Sequence, residues 1–224
     1  MVILALLAAL QLPAPTELRV LFVGNSLTSG NDVPGLVRRL AEADGRRVRV
    51  FSVAENDFGL EEHWKDGRAL RQIARGRWDV VVLQQGPSAL PQSRVILRDY
   101  ARRFSEPILK AGARPAMYMV WPSAPRAADF DRVVESYALA ARDIGGILLP
   151  VGQAWRNAWA RQPQLTLYAA DGLHASAEGS WLAALVIYCG LTERQPRDLA
   201  ALPSGFPEPR QVYLDSAHAA LAAR

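Results

Sequence analysis

The run Val80-Val81-Val82-Leu83 is branched and apolar at every position and offers no polar face to water. A strand of this kind must be covered on both sides, as the central strands of parallel sheets are. Leu18 to Val23, broken only by Arg19, has the same character, as do Ala116 to Trp121 and the short Ile147 to Val151. Arg46 to Val53 alternates charged and apolar residues and supplies a fifth strand. Between these runs the apolar residues fall at helical spacing. Val33, Leu36, Val37, Leu40 and Ala41 form one stripe; Leu97, Tyr100, Phe104 and Ile108 form another within Ser93 to Lys110. Phe130, Val133, Val134, Tyr137, Ala138 and Ala141 mark a further helix, and one more is expected from Leu60 to about Ala74. Strands alternating with helices predict an α/β fold, a flavodoxin-like three-layer α/β/α sandwich around a five-stranded parallel sheet.

The 224 residues suffice for one such domain, expected over residues 16–224. Half are hydrophobic and about a fifth charged, which excludes a disordered chain. The net charge of +4 comes from arginines scattered along the chain, with no basic stripe and interleaved aromatics, so nucleic acid is not an expected partner. Cys189 is the single cysteine, lies in an apolar run and reads as a small core residue. Pro196 to Pro209 is proline-rich and should wrap the surface before a last helix from about Arg210. Residues 1–15 read in one of two ways. They form either the apolar segment of a secretory signal peptide, without its usual basic start, or an N-terminal extension packed on the domain. The first reading implies export to the periplasm or the medium, the second a cytoplasmic protein. The segment is too short to span a bilayer.

Two stretches carry chemistry. Gly24-Asn25-Ser26 ends the first strand just ahead of a helix, at the sheet edge where α/β proteins place their ligands. A hydroxyl there is exposed and near backbone N–H groups, although the same letters also make an ordinary turn. Serine needs a base to take its proton, and Asp171-Gly172-Leu173-His174 offers one. Across the glycine turn the Asp171 carboxylate can curl back onto the His174 imidazole, fix its tautomer and stabilise the imidazolium. The bland alternative is a plain Asp-Gly turn ahead of a helix capped by Ser176. His63, after Glu61-Glu62, reads as a surface or wall residue and His218 as structural. No histidine has partners at metal-ligand spacing, so neither a metal nor another cofactor is expected.

Together, Val23-Gly24-Asn25-Ser26-Leu27-Thr28 and Asp171-x-x-His174 resemble the SGNH/GDSL hydrolases, serine esterases on a flavodoxin-like sandwich. The resemblance spans most of residues 17–191 and rests on the order and separation of two short motifs. It implies Ser26 as nucleophile, His174 as general base and Asp171 as the residue orienting it. Two blocks depart from the family pattern. Asn25 stands where the family usually has aspartate, keeping its size and turn-forming hydrogen bonds. Leu83-Gln84-Gln85-Gly86-Pro87-Ser88 stands where it usually has a Gly-x-Asn-Asp block. A branch with a Val-Val-Leu-Gln block is closer and also carries a turn like Gly59-Leu60-Glu61-Glu62-His63. Donors for a tetrahedral oxyanion are then expected from the N–H of Ser26, the N–H of Gly59 and the side-chain amide of Gln84, with Gln85, Ser88 and Asn56 as substitutes. Gln84 could equally be a buried amide that satisfies loop backbone. The expected function is hydrolysis of small carboxylic esters, with acetylated carbohydrate as one substrate class. The alternative is a carbohydrate-binding domain that kept the cleft and lost the chemistry. A nucleotide-binding protein is a weaker third, because Gly24 to Gly30 holds neither the dinucleotide fingerprint nor a phosphate-loop lysine.

Overall fold

A computed structural model of the chain describes residues 17–224. The reading of residues 1–15 lies outside the described residues. Five strands form one all-parallel sheet in the order β2-β1-β3-β4-β5: β1 Leu18–Gly24, β2 Val48–Ala54, β3 Val80–Leu83, β4 Arg114–Tyr118 and β5 Ile147–Leu149. This is the flavodoxin-like order, in which the chain reverses direction across the sheet beside β1. The three-layer sandwich expected from the strand pattern is the observed fold.

Helices cover both faces. On one side α2 (Val33–Ala43) packs against α8 (Ala177–Thr192), with α7 (Val151–Arg161) and α9 (Arg210–Ala222) packed around α8. On the other side lie α5 (Pro91–Lys110) and α6 (Phe130–Asp143), with α3 (Leu60–Asp66) and α4 (Arg68–Arg75) against α5. Every residue of α8 from Gly179 to Leu191 is buried, which accounts for a helix with no polar face. Its close approach needs glycine at 179, because a Cβ there would stand 2.2 Å from the Leu167 carbonyl oxygen.

Several boundaries differ from the sequence expectation. The helix expected from Leu60 to about Ala74 is two helices, broken at Gly67, whose φ of +75° is left-handed and ends α3. The fourth strand stops at Tyr118, three residues before the end of its apolar run, and the fifth at Leu149. Helix α7 was not expected at all. Its buried stripe, Val151, Ala154, Trp155 and Ala158, follows β5 directly and merges with it into one apolar stretch. Among the described residues no helix is long and apolar enough to cross a membrane.

The register of the sheet is what positions the site. Gly24 pairs with Ala54 and Val23 with Leu83, so β1, β2 and β3 end at one level. The segments that follow them, beginning at Asn25, Glu55 and Gln84, therefore meet at the C-terminal edge of the sheet.

Candidate active site

Ser26 opens a single helical turn, α1 (Ser26–Ser29), directly after β1. Asn25 caps it in extended conformation, its Oδ1 accepting from the Leu27 N–H at 3.1 Å. The Asn25 carbonyl accepts from the N–H groups of Thr28 and Ser29. Among the described residues the Ser26 N–H takes no partner, as expected for the first N–H of a helix. Beyond α1 the chain passes through Asn31 and Asp32, both left-handed (φ 50° and 52°), a conformation Asn and Asp tolerate better than most residues. Asn31 Nδ2 then donates to the Ala175 carbonyl at 3.0 Å and to Ser180 Oγ at 2.9 Å. It ties the Ser26 segment to the chain beside His174, and sequence reasoning passed it over because its partners are 144 and 149 residues away.

The second segment folds on itself. Asp171 Oδ1 accepts from the N–H groups of Leu173 and His174, each at 2.9 Å, and Gly172 between them has φ +65°. The Trp121 ring N–H donates to the Leu173 carbonyl at 2.9 Å, and the Ala124 N–H donates to the Gly172 carbonyl at 2.7 Å. Trp121 itself is buried and stacked on Trp155. The loop is thus pinned to the segment after β4 by one side-chain and one backbone hydrogen bond.

These two segments meet. His174 Nε2 lies 2.9 Å from Ser26 Oγ, and His174 Nδ1 lies 2.6 Å from Asp171 Oδ2. The carboxylate accepts from Nδ1–H, which leaves a lone pair on Nε2 facing the serine hydroxyl. Asp171 holds both the ring and its own turn, one oxygen for each. Its hydrogen bond from His174, followed by those from the Leu173 and His174 N–H groups, lowers its carboxyl to about 2. A carboxyl depressed below its unfolded value stabilises the fold above about pH 4, and that contribution disappears as pH falls toward 2. Above that window the carboxylate stays ionised. In Asp171→Asn, kcat should fall ~10²–10⁴-fold, because the amide can present its N–H to Nδ1 and force the wrong tautomer. A stopped assay at pH 7 checks this, and a loss of less than about threefold would contradict it.

Gln84 lies under the serine turn, fully buried, with every polar position occupied. Its Oε1 accepts from the Asn25 N–H at 2.8 Å and from Thr28 Oγ at 2.7 Å. Its Nε2 donates to Asn25 Oδ1 and to the Gln85 carbonyl, both at 2.9 Å. With both amide hydrogens committed, Gln84 has none for an oxyanion. The expectation of a donor role is corrected to that of a brace. The Gly59 N–H is also engaged, donating to Glu62 Oε2 at 2.8 Å, although that carboxylate sits on an exposed side chain. Among the substitutes, Gln85 is buried, accepts from the Leu60 N–H and gives one amide hydrogen to Ser88 Oγ. Asn56 is exposed. The family's usual aspartate is not interchangeable with Asn25 here: Asn25 Nδ2 donates to the Phe58 carbonyl at 2.9 Å, a bond a carboxylate cannot make.

His63 is neither on the surface nor in a wall. It is fully buried in α3, with Nε2 2.7 Å from the Gly24 carbonyl oxygen. His218 is hydrogen-bonded to Gln195 at the periphery. Among the described residues no group of three or more His, Cys, Asp or Glu side chains could hold a metal ion.

Beside the His174 loop, between the segments after β3 and β4, a cavity of about 270 Å³ is lined by Pro87, Ala89, Leu90, Pro122, Arg126 and Leu173. Leu90 and Leu173 are among the few large apolar side chains left exposed, at 45% and 37%.

No protein-family model and no curated protein sequence matches the chain. Solved structures do. It is 32% identical to a protein proposed to be an SGNH hydrolase from Slackia heliotrinireducens, at TM-score 0.65, over 79% of this chain and 100% of that one. A DUF4886 family protein from Bacteroides uniformis is similar in fold at TM-score 0.80, with 21% identity over 92% of this chain and 95% of that one. An acetylxylan esterase from Geobacillus stearothermophilus shares the fold at TM-score 0.54, with 12% identity over 82% of this chain and 96% of that one.

Proposed function

The chain belongs to the SGNH hydrolases, and from that premise we propose that it is a serine esterase cleaving small carboxylic esters through an acyl-enzyme on Ser26. The observation that carries the reading is the pair of hydrogen bonds Ser26–His174–Asp171, which joins residues 148 positions apart. His174 Nε2 takes the hydroxyl proton as Ser26 Oγ attacks the ester carbonyl. The proton then passes to the departing alkoxide, which leaves as the alcohol. A water, deprotonated by the same nitrogen, attacks the acyl-serine; the carboxylic acid departs and Ser26 recovers its proton. Asp171 keeps the ring oriented throughout.

The oxyanion is met by the free Ser26 N–H. The Gly59 N–H joins it once the Glu62 side chain swings aside, and the uncommitted amide hydrogen of Gln85 supplies the third. Each donor is worth about 2.7–4 kcal/mol of barrier. A carbohydrate-binding domain without chemistry has no need of a serine, an imidazole and a carboxylate joined in this order. Labelling by a fluorophosphonate probe at Ser26, together with turnover of nitrophenyl acetate, tests the choice. A folded protein that does neither would overturn the esterase reading.

The cavity beside Leu173 suits the acyl group. At ~30 Å³ for a water-sized group it has room for about nine heavy atoms. Acetyl esters of carbohydrate fall at the small end of that range. Each added methylene buried there contributes ~0.8 kcal/mol, so kcat/KM for nitrophenyl esters should rise ~3–4-fold per carbon from acetate to about octanoate, then fall. Leu90→Trp reduces the cavity and should flatten this rise. An unchanged chain-length profile in that variant would place the acyl group elsewhere.

A further inference from the structure

We infer that His63 is a positioning residue for the nucleophile, acting through the carbonyl of Gly24; the inference rests on the serine esterase reading above. Gly24 is the last residue of β1, two positions before Ser26. Its carbonyl accepts twice, from the Glu55 N–H at 3.1 Å and from His63 Nε2 at 2.7 Å. A carbonyl can only accept, so Nε2 carries the hydrogen and the ring is held as one tautomer. The neighbouring residue is held from the same side. Phe58 lies edge-on to the His63 ring at 5.2 Å, and its carbonyl takes the Asn25 amide hydrogen. Gln84 holds the opposite side, so close that a Cβ on Gly24 would stand 2.3 Å from its Oε1. The two residues ahead of Ser26 therefore sit in a clamp with His63 as one jaw.

The other ring nitrogen explains why this is more than packing. His63 Nδ1 is buried and has no hydrogen-bond partner. An unmatched buried acceptor costs stability, so an apolar ring of similar size would serve the core better. The polarity is retained for the single bond to Gly24. The neutral ring is also required, since protonation would place an N–H at Nδ1 with nothing to receive it. Burial pushes its pKa down, against the pull of the Gly24 carbonyl. The charged groups facing it work in both directions: Asp66 and Glu55 raise its pKa and Arg68 lowers it.

The test compares His63→Phe, which keeps an aromatic ring and removes the donor, with His63→Gln, which returns an N–H at similar reach. Both are assayed on nitrophenyl acetate and for fluorophosphonate labelling, with melting followed by circular dichroism. In the folded Phe variant kcat and the labelling rate should fall together by ~10–100-fold while KM stays within about twofold, because a small misplacement of the hydroxyl is felt at the reacting centre. The Gln variant should recover to within about threefold of wild type. A Phe variant with wild-type kcat, whatever its melting temperature, would make His63 a core residue only and overturn the inference. So would equal losses in both variants.

If the Phe variant fails to fold, the acid limb of kcat/KM decides. The limb should be steeper in wild type than in the Gln variant, which has no ring at position 63 to protonate; identical slopes would overturn the inference. Ser26→Ala run alongside separates the two ideas. Turnover that survives Ser26→Ala removes the esterase reading, whereas Ser26-dependent turnover indifferent to His63 removes this inference alone.

Discussion

Turnover of nitrophenyl acetate by Ser26→Ala should fall on the order of 10⁴–10⁶-fold, with fluorophosphonate labelling abolished. The alanine removes the atom that bonds to the acyl group, and no other hydroxyl lies within hydrogen-bond reach of His174 Nε2 among the described residues. His174→Ala should cost a similar factor, because a serine hydroxyl without a base is nearly inert. The double variant should be hardly worse than either single one, since the two residues act as a unit and their effects do not add. Ser26 is only partly buried and caps nothing, so the melting temperature should barely move. A Ser26→Ala variant with wild-type activity would sink the mechanism. Losses that add in full would show that serine and histidine act in separate steps.

The second large effect is at Gln84, and it differs in kind. Replacing it by leucine leaves the Asn25 N–H and the Thr28 hydroxyl without a partner in a buried site, while Asn25 Oδ1 and the Gln85 carbonyl keep only the Leu27 N–H and the Tyr137 hydroxyl. Each such group costs ~1–3 kcal/mol and neighbours do not add in full, so a destabilisation of about 3–5 kcal/mol is expected. The turn that presents Ser26 loses its brace, and kcat should fall about 100-fold. The pairing of the two effects is the informative part. An oxyanion donor at this position would cost kcat ~10²–10³-fold with little change in melting temperature. A brace costs both. Gln84→Asn keeps the chemical groups on a shorter stem and should fall between leucine and wild type on both scales. It also provides the measurement should the leucine variant not fold. A leucine variant as stable as wild type would refute the bracing role.

Much of this was legible from residues alone. The five runs were apolar for a physical reason, burial on both faces of a sheet, so their periodicity pointed to a parallel α/β fold before any contact was known. Ser26 and the Asp171–His174 pair were legible because each motif is local: a strand-to-helix turn, and a carboxylate that curls back across a left-handed glycine. What could not be read was the employment of long-range polar groups. Gln84 has the amide that a donor needs, and nothing in the residue types around it reveals that Asn25 Oδ1, 59 residues earlier, takes one of its hydrogens while the Gln85 carbonyl takes the other. The same holds for Asn31, whose partners lie on the far motif, and for His63, whose burial depends on how α3 docks beneath β1. Helix α7 escaped notice because β5 runs into it without a polar break.

The sequence by itself determined the layer architecture, the strand-to-helix turn that presents Ser26 and the glycine turn that folds Asp171 back on His174, because hydrophobic period and turn chemistry are properties of consecutive residues. Tertiary structure decided which polar atoms remain free to act. Hydrogen-bond capacity is spent on whatever folding brings close, and an atom already bonded in the native state has nothing left to offer a substrate.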